Sequence, residues 1–385
     1  MNTTCRGFDT KLLHAGEPLP RIQGAVTVPI FQSATFEQTG DTNDPVLFYI
    51  RLNNTPNHQA LHQKLAALEN AESALVTASG MAAISTTLLT VLSSGDHLLA
   101  QEGLYGGTHG LLTNECPAFG INVDWIDAGN PGSWEEKVRP ATRAIYVETM
   151  TNPLLQVADL PAVVEFARAH QLVSIIDNTF ATPVNFRPPE IGFDLSLHSC
   201  TKYMNGHDDL AAGAIIGRSK WIERITRRLN RLGGSLDPHA VFLLDRGLKT
   251  LGVRVRQQNE SAMRIARFLE DHPAVARVNY PGLESHPQHS RARKLFEGFG
   301  GTLSFDLVGG AAAADRLAAS ARLAISAPSL GGVDTLIMRP AVVSHRNLTR
   351  QERERIGIGD GLVRFSVGLE TPDDLINDLE QALRA

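Results

Sequence analysis

The alternation of short apolar runs with helical stretches between residues 73 and 216 constrains the fold more than any other feature of this sequence. Such runs are typical of buried strands, and helical patterns such as 80–92 and 160–170 lie between most of them. Strands that alternate with helices form a mostly parallel sheet covered on both faces, and ligands bind beyond the carboxyl ends of its strands. The predicted strands are 73–77, 97–101, 121–126, 143–148, 172–177, 193–197 and 211–216.

The segments on either side of this alternation indicate the domain organisation. A length of 385 residues suits two domains, at roughly 100–200 residues each. The N-terminal segment is rich in proline and lacks a sustained helical period, which indicates an irregular arm. A helix that aligns Leu61, Leu65 and Leu68 on one face follows it. The C-terminal segment contains a long helical stretch at 257–273 and candidate strands at 302–307 and 363–367. The predicted parts are an arm at 1–56, a large domain at 57–248 and an α+β C-terminal domain at 249–385.

Composition argues against several classes of partner. The net charge of −5 is unlike that of nucleic-acid-binding proteins, which need a basic surface. No apolar run approaches the ~20 residues that would span a membrane, and the polar first ten residues do not form a signal peptide. Three cysteines, Cys5, Cys116 and Cys200, lie far apart and form no CxxC, which indicates a reducing cytoplasm. The histidines of the segment SHPQH lack metal-ligand spacing, so no metal is expected.

Two residues near predicted strand ends point to a specific chemistry. Asp177 closes the apolar run LVSII, where an unpartnered carboxylate is costly, although a strand-end aspartate alone is more often a cap. Lys202 follows the hydroxyl-rich segment SLHSCT, and alone it would be an ordinary surface lysine. Together they match a pyridoxal-phosphate (PLP) site. The lysine forms an imine with PLP, and the carboxylate keeps the pyridine nitrogen protonated so that the ring accepts electrons.

The segment SALVTASGMAAIS offers a cradle for the phosphate of PLP. It predicts a strand, a turn at Ser79-Gly80 and a helix, where Gly80 permits close backbone approach and the helix N-terminus favours an anion. Such turns are common, so this signal is weak by itself. Ser199 and Thr201 flank Lys202 and could add hydroxyl donors to the same phosphate. Tyr105, in LYGGT, could stack on the ring or be an ordinary half-buried tyrosine.

Ordered motifs along nearly the whole chain carry a family resemblance. The chain resembles the cystathionine/methionine-metabolism PLP enzymes, which have the aspartate-aminotransferase-like fold (PLP fold type I). That group includes cystathionine γ-synthases, cystathionine γ- and β-lyases, methionine γ-lyases and O-acylhomoserine sulfhydrylases. The resemblance implies a mostly parallel seven-stranded α/β sheet with a smaller α+β C-terminal domain. The matching motifs are TKLLHAG, GAVTVPIFQSATF, LVTASGMAAI, LYGGT, DNTFATP, HSCTKYMNGH, RGLKTL, NYPGLESHPQH, PSLGGV and GLVRFSVGLE.

The resemblance assigns roles around the cofactor. Lys202 would carry PLP and move protons, and Asp177 would pair with the pyridinium nitrogen. Tyr105 would stack on the ring and take part in proton transfer. Asn152, in ETMTNP, would reach the phenolic oxygen of the ring or the substrate carboxylate. The residues that would hold the phosphate are Gly80, Met81, Ser199 and Thr201.

The resemblance also implies a small amino-acid substrate and an oligomer. Arg364, in VRFSVG, would grip the α-carboxylate as a bidentate fork with help from Ser329. Tyr49 and Arg51 match a Tyr-x-Arg motif that reaches the phosphate of the neighbouring subunit. The implied assembly is therefore a homo-oligomer, a tetramer built as a dimer of dimers.

Some positions depart from the patterns of the relatives. After the Tyr-x-Arg, NNTPN stands where many relatives have Asn-Pro-Thr. Pro328 stands where cystathionine-using relatives commonly have glutamate, and Gly107 where methionine γ-lyases typically have cysteine. Asp208 occupies a place between His207 and Asp209 where relatives usually have Ser or Gly. Because Pro328 offers neither a carboxylate nor an N–H donor, we expect cystathionine not to be strongly favoured over substrates with small, uncharged γ-groups.

The expected function is that of a cytoplasmic PLP-dependent lyase of sulfur amino-acid metabolism. It would act by γ-elimination on cystathionine-, methionine- or homocysteine-type substrates, giving a 2-oxo acid, ammonia and a thiol. Two other reactions stay open: γ-replacement on an O-acylhomoserine, by a synthase or sulfhydrylase, and β-elimination. A PLP-binding module without turnover is a further alternative. The presence of Lys202, Asp177, Tyr105 and Arg364 argues against it.

Overall fold

The computed structural model describes residues 6–37, 47–346 and 348–385. Cys5 and Pro45 lie outside these residues, as does half of the polar N-terminal decapeptide. The strands are β1 Ser73–Thr77, β2 His97–Gln101, β3 Asn122–Ile126, β4 Thr142–Glu148, β5 Val173–Asp177, β6 Leu195–Ser199, β7 Gly213–Gly217, β8 Val275–Asn279, β9 Thr302–Leu307, β10 Ile325–Ser326, β11 Leu336–Met338 and β12 Leu362–Ser366. The helices are α1 Phe8–His14, α2 Pro56–Leu68, α3 Gly80–Val91, α4 Gly106–Gly110, α5 Cys116–Ala118, α6 Leu160–Ala169, α7 Thr182–Asn185, α8 Pro188–Ile191, α9 Ser219–Leu232, α10 Pro238–Leu248, α11 Leu251–Glu270, α12 His289–Leu295, α13 Gly310–Ser320, α14 Arg350–Arg355 and α15 Pro372–Leu383.

The larger sheet confirms the predicted fold class. Its seven strands lie in the order β1-β7-β6-β5-β4-β2-β3. The strand pairs β3–β2, β2–β4, β4–β5 and β5–β6 are all parallel. Strand β7 alone runs antiparallel to its neighbours β1 and β6. The carboxyl ends of β1, β4, β5 and β6 therefore meet at one edge of the sheet. Helices cover the buried strands, as expected for a parallel sheet.

All seven strands of this sheet were predicted, and their ends differ by up to two residues from the predicted ends. Strand β6 begins at Leu195 rather than 193, because Asp194 uses its carboxylate to accept the backbone N–H of Ser174 at 3.0 Å. Strand β7 begins at Gly213 rather than 211, because the N–H of Ala212 donates to the Thr201 hydroxyl at 3.0 Å. In both places a side-chain hydrogen bond takes the backbone group out of the ladder.

The N-terminal segment is more ordered than predicted. Helix α1 was not predicted, and its Leu12 is buried in the core that α2 shares with the larger sheet. Helix α2 starts at Pro56, whose fixed φ suits the first helical position. The leucines of α2 lie in the same core at 1% exposure or less, which confirms the predicted apolar face: Leu61, Leu65 and Leu68.

The smaller sheet lies in the C-terminal part of the chain, in the order β10-β11-β12-β9-β8. Its two predicted strands are β9 and β12, which pair antiparallel at its centre. The sequence did not predict β10 and β11, because two or three residues are too few to show an alternating pattern. It also missed β8, whose first residues are half-buried or exposed.

Helix α11 packs against both sheets. Leu251 and Val255 belong to the core of the larger sheet, whereas Ala262, Ile265 and Leu269 belong to the core of the smaller one. The helix begins six residues before the predicted stretch, because its first turns bury leucine and valine against the large domain. The domain boundary at 249 stays a prediction, since one continuous helix serves both cores.

Candidate active site

The carboxyl-end edge of the larger sheet brings together residues that the sequence singled out. Lys202 lies in the turn after β6, half-buried, and its Nζ donates to the Ser329 Oγ at 3.0 Å. Burial lowers the pKa of Lys202, the charge of Arg364 lowers it further, and Asp208 opposes both. A lowered pKa increases the share of neutral amine, which is the nucleophilic and proton-accepting form.

Two carboxyl groups end adjacent strands at this edge. Glu148 at the end of β4 and Asp177 at the end of β5 are partners in the parallel ladder. Burial raises the pKa of both groups, and the neighbouring Asp177 raises that of Glu148 further. Hydrogen bonds from Thr179, including its N–H at 2.9 Å, and the charge of His198 work against the rise in the pKa of Asp177. Of the two groups, Glu148 therefore has the stronger tendency to stay protonated, and Asp177 ionises more readily next to a cation.

Gly80 and Ser199 form a close pair beside this edge. Helix α3 begins at Gly80, and its N-cap Ser79 accepts the N–H of Ala82 at 3.0 Å. A Cβ atom on Gly80 would lie 2.9 Å from the Ser199 Cβ, so only glycine lets the helix N-terminus approach Ser199 this closely. The hydroxyl of Thr201 contacts the backbone O and N of Ala212 at 3.2 and 3.0 Å, which fixes the turn that carries Lys202.

Tyr105 stands over the same region at the start of α4. Its side chain is 46% exposed, and its backbone N–H donates to the Glu148 Oε1 at 2.7 Å. A Cβ on Gly107 would lie 2.6 Å from the Tyr105 Cε1 and 2.9 Å from the Met81 Sδ. The ring of Tyr105, Met81 and Gly107 are thus packed together, and the position of the ring depends on the absence of a side chain at 107.

Arg364 is a buried cation on the central strand β12 of the smaller sheet. It is 3% exposed, and its Nη1 donates to the Asn152 Oδ1 at 3.2 Å. Its Nη2 donates to the carbonyls of Pro328 at 3.0 Å and Ser329 at 2.7 Å. Within the described ranges no carboxylate lies within 4.0 Å of it. Burial lowers its pKa to about 10, so the guanidinium stays charged at neutral pH and is suited to a carboxylate ligand.

Tyr49 and Arg51 lie apart from these groups. Arg51 Nη1 donates to the carbonyl of Asn230 at 2.6 Å, and its guanidinium carbon lies 5.3 Å from the centroid of the Tyr49 ring. The backbone N–H of Tyr49 donates to the Asn54 Oδ1 at 3.0 Å. None of these hydrogen bonds reaches the Lys202 region, and the Arg51 side chain is exposed. The predicted role of this pair in another subunit's site stays a prediction.

Sequence reasoning missed two residues here, Glu148 and Thr179, and it singled out Asp208 without predicting its contact with Ser329. Glu148 carried a detectable signal, since it ends an apolar strand in the same way as Asp177 does. Neither Thr179 nor the contact of Asp208 carried such a signal, because nothing in a local pattern shows which distant group a turn residue faces.

Cys200 is a thiol of the core beside the site. It is fully buried, its Sγ donates to the Met204 Sδ at 3.4 Å, and burial raises its pKa. The described residues contain no group of three His, Cys, Asp or Glu side chains that could hold a metal ion. They also contain no helix both long and apolar enough to cross a membrane.

These residues fit PLP. The Gly80 and Ser199 pair offers backbone and hydroxyl donors to a phosphate, Asp177 a carboxylate to a ring nitrogen, and Lys202 an amine. The fold and this set of groups define a PLP-dependent enzyme of fold type I.

Comparisons with known proteins place the chain more closely. The model of the Cys/Met metabolism PLP-dependent enzyme family matches residues 9–384, and the chain belongs to this family. It is 41% identical to the L-methionine gamma-lyase of Fusobacterium nucleatum subsp. polymorphum over 394 residues, which cover 100% of this chain and 99% of that protein. It is 40% identical to the cystathionine beta-lyase of Lactococcus lactis subsp. cremoris over 375 residues, with 97% and 98% covered. Among solved structures, cystathionine gamma-lyase from Lactobacillus plantarum complexed with L-serine superposes with a TM-score of 0.94 at 36% identity, covering 98% and 99%.

Proposed function

We propose that this enzyme is a lyase that eliminates the γ-substituent of a sulfur amino acid and, after hydrolysis by water, gives a 2-oxo acid, ammonia and a thiol. The observation that carries the proposal is the arrangement around Ser329. Arg364, which has no carboxylate partner in the described residues, donates to the Ser329 carbonyl, and Lys202 donates to the Ser329 hydroxyl. An α-amino acid could place its carboxylate at Arg364 and its amino group at Lys202, because these two side chains contact the carbonyl and the hydroxyl of Ser329.

The cofactor-binding roles follow from the same geometry. PLP, when bound, supplies a ring that takes up the electrons left at Cα after proton removal. Asp177 would keep a proton on the ring nitrogen, because its carboxylate becomes the counter-ion of that cation. Tyr105 would cover the ring face, and Asn152 would orient the carboxylate with Arg364. The phosphate would be held by Gly80, Met81, Ser199 and Thr201.

Lys202 is the proton carrier in this proposal. Displaced by the substrate amine, it would be a neutral amine beside Cα, since burial and Arg364 both lower its pKa. It would remove the Cα proton and deliver it elsewhere on the substrate. A second proton loss at Cβ would then allow the γ-sulfur to leave. Ser329 fixes the Nζ position through its hydroxyl.

We propose that the working unit is a homo-oligomer in the cytoplasm, a tetramer assembled as a dimer of dimers. Support comes from Tyr49 and Arg51, which match a motif used across subunits and which, in the part of the chain that the structure describes, make no hydrogen bond to the Lys202 region. A dimer in which each arm serves the other subunit would complete both sites.

The experiment that tests the reaction is a substrate panel of methionine, homocysteine, cystathionine and O-acetylhomoserine, with and without an added thiol. We expect 2-oxobutyrate and thiol from methionine without added thiol, at a rate that the thiol does not raise. Thiol-dependent formation of a thioether from O-acetylhomoserine would instead establish γ-replacement.

β-Elimination is the second candidate, because a relative 40% identical over almost its whole length is a cystathionine beta-lyase. Cystathionine separates the two reactions. γ-Elimination gives 2-oxobutyrate and cysteine, whereas β-elimination gives pyruvate and homocysteine. Pyruvate as the main product would replace the proposal, and no 2-oxo acid from any substrate would support the non-catalytic module.

A further inference from the structure

The turn after Lys202 carries a carboxylate that the proposed reaction does not use. Its neighbours have partners: a ring nitrogen of His207 lies 2.7 Å from the carbonyl of Asn205, and Asp209 Oδ1 accepts from the Asn205 Nδ2 at 2.8 Å. Asp208 between them has a φ of 53°, a left-handed backbone that glycine adopts more easily and that aspartate and asparagine tolerate. The turn conformation therefore accounts for glycine, asparagine or aspartate at this position, but it does not require the negative charge.

The Asp208 side chain reaches the substrate side of the site. Its Oδ1 accepts from the Ser329 Oγ at 3.3 Å, and that hydroxyl accepts in turn from the Lys202 Nζ at 3.0 Å. The contact joins the turn after β6 to the segment that precedes β11. Asp208 thus belongs to one hydrogen-bonded chain with the lysine that would hold the cofactor.

Asp208 forms no salt bridge among the described residues. In the described part of the protein no Lys, Arg or His nitrogen lies within 4.0 Å of its carboxylate, although the residue is exposed to solvent and to the site. The negative charge of Asp208 raises the pKa of Lys202. A carboxylate in this setting is complementary to an ammonium group brought by a ligand.

Ser329 separates this carboxylate from the buried guanidinium. The Ser329 carbonyl accepts from Arg364 at 2.7 Å, and the Ser329 hydroxyl donates to Asp208. When the α-carboxylate of a substrate lies at Arg364, its α-amino group takes part in the reaction. The α-amino nitrogen is therefore not available to pair with Asp208. The remaining candidate is a positive charge in the γ-substituent.

We propose that Asp208 is a specificity-determining residue that binds a second ammonium group carried by the γ-substituent of the substrate. The inference rests on the proposed function and names its substrate class: thioethers with a second amino group, cystathionine among them. The negative charge that Pro328 does not provide would come from Asp208, in the turn after Lys202. The enzyme would therefore prefer substrates with a charged γ-substituent, which is opposite to the preference expected from Pro328 alone.

Two synthetic thioethers isolate this interaction. S-(2-aminoethyl)-L-homocysteine and S-propyl-L-homocysteine have the same heavy-atom skeleton and differ by an ammonium in place of a methyl group. The holoenzyme should prefer the aminoethyl compound, and Asp208→Asn should lower the ratio of the two kcat/KM values about tenfold, or about 1.4 kcal/mol. Asparagine also tolerates the left-handed backbone, so the turn is kept. Asp209→Asn removes the adjacent charge and should leave the ratio unchanged.

The outcomes separate the two proposals. Turnover of both thioethers without preference, or equal losses for both in Asp208→Asn, would reject the role of Asp208 and keep the elimination. A preference in binding, measured from the change in cofactor absorbance on titration, without any 2-oxo acid would support Asp208 and reject the elimination. Added salt should weaken the preference, because the carboxylate is exposed and its field is screened. Cofactor content of each variant confirms that it is folded.

Discussion

The two sides of the candidate site are built differently. The cofactor edge consists of Gly80, Glu148, Asp177, Ser199 and Lys202, all at or just beyond the carboxyl ends of strands of the larger sheet. The substrate segment consists of residues 328–332 together with Arg364 on the smaller sheet. The first side is fixed by one sheet and its ladder. The second depends on contacts between two sheets.

Because of this difference, the groups that carry out the reaction lie on one side of the site and the groups that select the substrate lie on the other. Neighbouring strands hold the cofactor edge through backbone hydrogen bonds, so its groups keep their relative positions when side chains elsewhere change. The substrate segment is held mainly by side-chain hydrogen bonds, such as those of Arg364 with the carbonyls of Pro328 and Ser329 and that of Ser329 with Asp208 at 3.3 Å. One substitution there can change which γ-substituent is accepted while the proton chemistry stays the same.

The largest effect should come from the cofactor edge. Lys202→Ala removes the proton carrier and the covalent attachment, and we expect turnover to fall at least about a thousandfold. The variant should still bind some PLP through the phosphate groups, measured by absorbance after gel filtration. Borohydride should attach the cofactor to Lys202 in the natural enzyme. The matched control is Lys220→Ala, an exposed lysine on α9. Labelling of another lysine would break the assignment.

Exchange between subunits tests whether the cofactor edge is complete within one chain. Arg51→Ala and Lys202→Ala should each be nearly inactive, and refolding them together should restore part of the activity, because a mixed dimer contains one intact site. Activity is measured against each variant refolded alone. Mixed dimers confirmed by mass but without recovered activity would show that Arg51 does not serve the neighbouring subunit.

On the substrate side, Arg364→Ala should lower kcat/KM about 10- to 150-fold, from the loss of roughly 1.5–3 kcal/mol for a hydrogen-bonded charged group. The loss should appear mainly in substrate capture, measured by steady-state kinetics on the best substrate of the panel. Arg277→Ala is the control, an arginine that forms an exposed ion pair with Asp306 on the same sheet. Unchanged kinetics in Arg364→Ala would mean that the α-carboxylate binds elsewhere.

The smallest effect concerns the tyrosine above the cofactor edge. Gly107→Ala places a Cβ 2.6 Å from the Tyr105 Cε1 and should displace the ring. A lost stacking contact of about 0.5–1.5 kcal/mol corresponds to a roughly two- to tenfold fall in kcat/KM. Gly110→Ala lies on the same helix with no atom nearer than 4.0 Å to its Cβ and should change little. Equal effects of the two variants would indicate helix destabilisation rather than displacement of Tyr105.

The sequence by itself determined the larger sheet and most of the cofactor edge. Short apolar runs show which strands are buried, and a parallel sheet brings their carboxyl ends to one edge. Asp177 and Lys202 could be recognised because Asp177 closes one such run and Lys202 lies three residues beyond the end of another. The strands β10 and β11 escaped because two or three residues are too few to show an alternation, and helix α1 escaped because seven residues form only about two helical turns.

Only the tertiary structure decided the substrate side. Lys202 and Ser329 are 127 residues apart in the chain, Ser329 and Asp208 are 121 apart, and Arg364 and Asn152 are 212 apart. Periodicity shows which face of an element is buried, but it does not show which polar group on another element a side chain will meet. Which polar groups come into contact depends on how the two sheets pack against α11. This packing places the Asp208 carboxylate next to Ser329, whereas the neighbouring Pro328 had suggested that the site offers no charge there.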